Sequence, residues 1–106
     1  MKFSRHADPR CQRGLTFTYR HDSALDPETL LGALGVDLLC AEQFWGERKV
    51  MIGILPRRFE LQIGVRAGEI RFMHRMSASL DQRAADRARF EDALTLVNPQ
   101  LPPESS

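Results

Sequence analysis

Three histidines and two cysteines are the side chains of this sequence most suited to acid–base, nucleophilic or metal chemistry. His74 is the most notable, because it follows Phe72 on the apolar side of an alternating segment. Loss of water there lowers the pKa of an imidazole and keeps the ring neutral, as a general base requires. The alternative is a core histidine that bonds a backbone carbonyl. We expect the core role, since no partner stands at a fixed spacing from His74.

Cysteine and metal chemistry have weaker support. Cys40 is the candidate nucleophile, but it lies in the apolar run at residues 38–41, where a buried thiol is unreactive. No two cysteines or histidines have the Cys-x-x-Cys or His-x-x-x-His spacing that is typical of a structural metal site. Gly-x-Ser-x-Gly and Gly-x-Gly motifs are missing as well. The sequence therefore predicts no catalytic residue, no metal and no cofactor, and it favours a protein that is not an enzyme.

Arginine provides a candidate nucleic-acid site. Arg57 and Arg58 stand at a turn. Arg71 and Arg75 fall on the polar side of a later strand, from where these guanidinium groups could contact phosphates. The formal net charge of the chain is only +1, however, and Glu60 is placed to neutralise Arg75. The strand phenylalanines face the other way, where they cannot stack on bases. Nucleic-acid binding through these arginines and the basic N-terminal arm is therefore the alternative function. The basic residues of the arm are Lys2, Arg5, Arg10 and Arg13.

A site for another protein has better support around Trp45. This residue stands beside a tight connection, where burial is difficult to arrange, and Phe44 precedes it. An exposed tryptophan close to an arginine, here Arg48, is typical of a binding hot spot. The other possibility is that Trp45 folds back and caps the core. The two possibilities are evenly matched at this point.

The strand after that connection has apolar residues on both faces. Met51 and Leu55 occupy one face, and the other face carries Val50, Ile52 and Ile54. A strand of this kind is either central in the fold or part of an interface. We therefore predict a partner site that binds another protein or a second copy of the chain. Its residues are Phe44, Trp45, Arg48, Met51 and Leu55.

A hairpin over residues 59–76 positions His74 and the arginines of the sheet. A turn at residues 67–68 would place Ile63 opposite Phe72 and Glu60 opposite Arg75. One face of this hairpin is then apolar except for His74, and the other is mostly polar with opposite-charge pairs. Shorter alternating or apolar segments at 15–19, 38–44 and 49–55 predict three further strands.

Two helices complete the predicted elements. Asp26, Pro27 and Glu28 are a strong helix start, and Gly35 is a typical stop. A second helix should run over residues 80–97, since Ser79 and Gln82 have the spacing of a capping box. Its second half should contact the core, because Phe90, Ala93, Leu94 and Val97 recur on one face.

The order is thus β-α-β-β-β-β-α, which predicts an α+β protein with an antiparallel sheet of four to five strands and two helices on one face. We predict a flexible basic arm at 1–13, a single domain at 14–98 and a disordered tail at 99–106. No apolar run is long enough to span a membrane, and the N-terminus lacks the apolar region of a signal peptide.

The expected protein is therefore cytoplasmic and has no membrane partner. Its expected function is protein binding through an exposed sheet face or hairpin, as an inhibitor or immunity protein, a chaperone or a regulatory adaptor. A nucleic-acid-binding protein is the second hypothesis. A small enzyme or ligand-binding domain that uses His74 is the third.

Overall fold

Six strands and two helices make up most of the residues that the computed structural model describes, which are 2–9, 14–22, 25–35 and 37–97. The strands are β1 (Phe3–Ala7), β2 (Thr16–His21), β3 (Leu39–Trp45), β4 (Arg48–Leu55), β5 (Phe59–Ile63) and β6 (Glu69–His74). The helices are α1 (Pro27–Ala33), which follows β2, and α2 (Leu80–Leu96), which follows β6. The predicted tail at 99–106 lies outside the described residues.

The six strands form one antiparallel sheet in the order β1-β2-β6-β5-β4-β3. Each strand is paired with its neighbour along the chain except where α1 intervenes, so β2 pairs with β6 and β3 lies at the far edge. The prediction of an α+β protein with an antiparallel sheet and two helices is confirmed. The prediction of four to five strands is wrong, because the sheet has six.

Strand β1 is the additional strand, and it lies within the segment predicted to be a flexible arm. It pairs with β2 from Phe3 opposite His21 to Ala7 opposite Phe17. The ring of Phe3 packs against that of Tyr19, with ring centres 5.8 Å apart. This segment has little alternation of its own, so its strand conformation depends on the edge that β2 offers. Residues 3–7 of the segment predicted to be a flexible arm therefore form an edge strand of the sheet.

The β5–β6 hairpin has the predicted faces but a different register. Ile63 lies opposite Ile70, whereas the predicted turn would have placed it opposite Phe72. The connecting loop covers residues 64–68, so the pairing shifts by two residues. Because side chains alternate with a period of two, this shift leaves the side chains of β5 and β6 on their predicted faces. The predicted contact of Glu60 with Arg75 forms as a diagonal ion pair of 3.0 Å.

The β3–β4 hairpin is aligned by a two-residue turn at Gly46 and Glu47. Trp45 lies opposite Arg48 at the ends of the turn. Gly46 has a φ of 69°, which the first central residue of a type II′ turn requires.

Both helices begin as the sequence predicted. α1 follows Asp26, although the Asp26 carboxylate accepts a 2.6 Å hydrogen bond from the Thr29 hydroxyl and none from the backbone. α2 has the complete capping box. The Gln82 backbone N–H donates to Ser79 Oγ at 3.1 Å, and the Ser79 N–H donates to Gln82 Oε1 at 2.9 Å. The second half of α2 is the buried half, as predicted.

The hydrophobic core lies between the two helices and one face of the sheet. We call this face the helix side and the opposite face the far side. The largest fully buried side chains of the core are Tyr19, Phe59, Phe72, Phe90, Leu30, Leu61, Ile70 and Leu94.

Strand β4 directs toward the helices the face that the sequence assigned to an interface. Met51 lies opposite Ile63 and is buried, and Leu55 packs against the same core. Gly53 lies between them on this face. A Cβ atom on Gly53 would be 2.8 Å from Leu31 Cδ2, so the missing side chain lets α1 approach the sheet. The prediction that Met51 and Leu55 form an additional apolar face is therefore wrong.

Candidate functional site

Strand β3 is the most exposed strand of the sheet. All seven of its residues are exposed, and in the described part of the chain it has a neighbour on one side only, β4. Three of its large apolar side chains remain in contact with solvent: Leu39 is 63% exposed, Phe44 70% and Trp45 41%. An apolar edge strand of this length is a ready template for pairing with another strand.

The other edge of the sheet, β1, has a different chemistry. Its exposed residues include Arg5, whose Nη1 is bound to Glu91 Oε2 of α2 at 2.7 Å. Ser4 Oγ and His6 Nε2 lie 2.8 Å apart on the same strand. Charged and polar side chains commonly protect an edge from unwanted pairing. On β3 the single charged residue is Glu42, so β3 is the edge that suits a protein partner.

The two-residue turn of the β3–β4 hairpin determines which backbone groups of β3 face outward. The residues that flank such a turn, here Trp45 and Arg48, exchange both backbone hydrogen bonds. Bonded and non-bonded pairs alternate along an antiparallel ladder. Phe44, Glu42 and Cys40 therefore direct their N–H and C=O groups away from β4, where an added strand would meet them.

A pocket of about 360 Å³ opens beside β3 on the helix side. Cys40 is an exposed free thiol at its border, so the prediction of a buried thiol is wrong. The β4 neighbour of Cys40 is Gly53, and Leu31 and Leu38 occupy the space above it. Two leucines contribute apolar walls. The lining residues are Glu28, Leu31, Gly32, Asp37, Leu38 and Cys40.

The side chains of the hairpin are held by polar contacts. The Trp45 indole N–H donates to Gln43 Oε1 at 3.0 Å, and Arg48 Nη1 donates to the carbonyl oxygen of Gly64 at 3.1 Å. Trp45 and Arg48 lie opposite each other on the far side at the end of the hairpin, and Phe44 lies next to them on the helix side. Met51 and Leu55 lie in the core and do not belong to this surface.

The far side of β3 and β4 carries an apolar strip that the sequence interpretation did not include. Leu39 lies opposite Ile54, and Ala41 lies opposite Ile52. Ile52 is buried, whereas Leu39 is largely exposed at the edge. The apolar residues at 39 and 41 were a usable signal, but only the pairing register shows that they extend the apolar face of β4.

The four arginines of the predicted nucleic-acid surface do not form a set of free cations. Arg57 is exposed at the β4–β5 turn, and the other three lie within 4.0 Å of a carboxylate. These neighbours reduce the positive charge that a phosphate would meet. The ion pairs are Arg58–Asp86 at 2.8 Å, Arg75–Glu60 at 3.0 Å and Arg71–Asp8 at 3.9 Å.

His74 is enclosed beneath α2 and is only 4% exposed. Its ring lies edge-on to Phe17 and Phe72, with ring centres 5.9 and 4.8 Å away. Arg87 Nη1 lies 3.1 Å from Nε2, and because a guanidinium only donates, Nε2 accepts and the proton is on Nδ1. Burial, and to a smaller extent the charge of Arg87, lower the pKa of His74 to about 4.

Among the described residues, no group of three or more histidine, cysteine or acidic side chains could hold a metal ion. No helix in the same part of the chain is long and apolar enough to cross a membrane. Comparisons with protein-family models, with curated proteins and with solved structures found no match.

Proposed function

We propose that this chain is a small cytosolic protein-binding module that acts through β3 and the β3–β4 hairpin. The observation that carries the proposal is the full exposure of β3 together with three large apolar side chains on it. An inhibitor or immunity protein, an assembly chaperone and a regulatory adaptor would all use such a surface.

Binding would proceed by addition of a strand to the sheet. Backbone hydrogen bonds from Cys40, Glu42 and Phe44 would supply affinity with little dependence on the partner's sequence. Specificity would come from the side chains, because Phe44 lies on the helix side whereas Leu39 and Trp45 lie on the far side. A partner strand must therefore match apolar positions on both faces.

The alternatives have less structural support. Three of the four arginines proposed for nucleic-acid binding already neighbour carboxylates. A catalytic or ligand-binding role for His74 requires a cleft that opens onto the ring, and His74 lies instead under Arg87. No observation favours either hypothesis over protein binding through β3.

The proposal is tested by affinity capture with the purified chain, followed by reconstitution with the purified captured protein. We expect Phe44→Lys to abolish the reconstituted complex, because it places a charge where β3 offers an apolar contact. Leu80→Lys is the matched control, since Leu80 is an equally exposed apolar residue on α2. A complex that survives Phe44→Lys, or that both variants weaken equally, contradicts the role of β3.

A further inference from the structure

We infer that the strand added to β3 is β3 of a second copy of this chain. The two strands pair antiparallel about a twofold axis at Glu42. Phe44 of each copy then enters the pocket beside Cys40 of the other. This inference rests on the proposed function and assigns its partner. The backbone groups, both faces and the central charge of the strand support it.

The first feature is the pattern of outward backbone groups. An added β3 must place its own outward groups opposite Cys40, Glu42 and Phe44. Pairing Glu42 with Glu42 of the second copy does this, and it is the alignment in which all seven residues of the strand have a partner. Cys40 then lies opposite Phe44 of the other copy, and roughly six backbone hydrogen bonds can form.

The second feature is the match between a protruding side chain and a pocket. Opposite residues of an antiparallel pair lie on the same face, so Phe44 of the second copy projects on the helix side at Cys40. The pocket of about 360 Å³ opens there, with apolar walls from Leu31 and Leu38. A twofold axis repeats this contact, so both phenylalanines are covered and the assembly closes as a dimer.

The far side is complementary in the same alignment. Leu39 lies opposite Trp45 of the second copy, and Ala41 lies opposite Gln43. An aromatic residue opposite an aliphatic one is a favourable cross-strand pair. This single twofold pairing therefore covers all three large apolar residues of β3. It also extends the apolar strip of the far side.

The third feature is the charge at the centre. Two directly opposed glutamates repel each other, but Lys49 Nζ lies 3.0 Å from Glu42 Oε1 within each copy. The centre of the dimer is then a group of two carboxylates and two ammonium ions. One strand is a narrow contact compared with a standard interface, so we expect a Kd in the micromolar range.

The alignment is tested by disulfide trapping at the axis. In a chain with Cys11→Ser and Cys40→Ser, Glu42→Cys places the two thiols on opposite residues about 5.5 Å apart between Cα atoms, within disulfide range. We expect a covalent dimer under mild oxidation. Ala41→Cys is the control, because its two copies would be about 8 Å apart and cannot be bridged. Equal trapping of both variants, or trapping of Ala41→Cys alone, overturns the inference.

The pocket contact is tested in solution by sedimentation of the otherwise native chain. Gly32→Gln adds a side chain at the pocket. Among the described residues no atom lies within 4 Å of a Cβ at that position, so the fold should not change. We expect Gly32→Gln and Phe44→Ala each to raise the dimer Kd by about tenfold or more. Leu80→Ala should not change it.

A chain that remains monomeric up to about 1 mM overturns the inference, since that concentration lies far above a micromolar Kd. The proposed function is tested separately. Affinity capture and reconstitution detect a partner other than a second copy of the chain on the same strand. A dimer that persists in Gly32→Gln and Phe44→Ala also overturns the inference, because its interface must then lie elsewhere.

Discussion

Arg58 binds the carboxylate of Asp86 with two parallel hydrogen bonds, from Nε to Oδ2 at 3.0 Å and from Nη2 to Oδ1 at 2.8 Å. Asp86 is only 4% exposed, whereas Arg58 remains partly accessible. The pair joins the turn between β4 and β5 to the first half of α2, the half with few apolar residues toward the core. A bidentate contact of this kind holds both the distance and the orientation of the two elements.

Replacement of Asp86 by alanine should lower the free energy of unfolding by about 2 kcal/mol, because it removes a charge-assisted contact that lies largely out of water. Arg58 can still reach solvent, which keeps the loss below that of a fully buried pair. Urea denaturation measures the effect. Arg75→Ala is the control, since its ion pair with Glu60 is more exposed and should cost less than about 1 kcal/mol. If Asp86→Ala and Arg75→Ala lower the free energy of unfolding equally, Asp86 has no special role.

His74 should make stability depend on pH in the mildly acidic range. Burial and Arg87 lower its pKa to about 4 in the folded protein, against 6.5 for the ordinary imidazole, while Asp86 acts in the opposite direction. The unfolded chain therefore binds a proton that the folded protein excludes. Stability is fully present above about pH 6.5 and falls as the pH decreases toward 4, by on the order of 3 kcal/mol.

The measurement is urea denaturation between these pH values, for the native chain and for His74→Phe. The phenylalanine fits among Phe17 and Phe72 and cannot bind a proton. Carboxylates also titrate near the lower limit, so the difference between the two proteins reports His74. If the difference in the free energy of unfolding between the two proteins does not change with pH, the ring binds protons in the folded state as readily as in the unfolded chain, and the prediction is wrong.

Tyr19 should ionise at a higher pH than an exposed tyrosine. Burial raises its pKa, and the 2.8 Å hydrogen bond that its hydroxyl donates to Glu91 raises it further, while Arg5 lowers it. Since the chain has one tyrosine, absorbance of the phenolate follows this residue alone. We expect Glu91→Gln to shift the transition to lower pH and Arg5→Gln to higher pH. Shifts in the same direction would contradict this network.

Gly64 should tolerate no side chain. Its φ is 98°, and a Cβ atom there would lie 2.7 Å from the carbonyl oxygen of Lys49. Gly64→Ala should therefore cost about 2 kcal/mol or more, from backbone strain and from a collision that the strand cannot easily relieve. Gly46→Ala is the control, because Gly46 has a φ of 69° and no atom of the described residues lies within 4 Å of a Cβ there. Equal losses of stability on thermal unfolding would show that the collision is relieved.

Much of the fold can be predicted from local patterns in the sequence. The capping box of Ser79 and Gln82 and the proline start of α1 depend on residues close together in the chain, and both form as predicted. The faces of the β5–β6 hairpin were also predictable, because alternation survives a shift of two residues. The register itself was not, since a two-residue turn at 67–68 and the observed loop at 64–68 fit the same alternation.

What the sequence alone determined is therefore the type of each element and the faces of those with clear periodicity. The tertiary structure decided which face of β4 meets the helices, because both faces are apolar and the choice depends on Leu31 packing over Gly53. It also decided that Phe3 begins a sixth strand, which needs the edge of β2 for its hydrogen bonds. Phe44 and Trp45 were identifiable as candidates from composition. That both lie on an exposed edge strand follows only from the strand order, which results from pairing between residues distant in the chain.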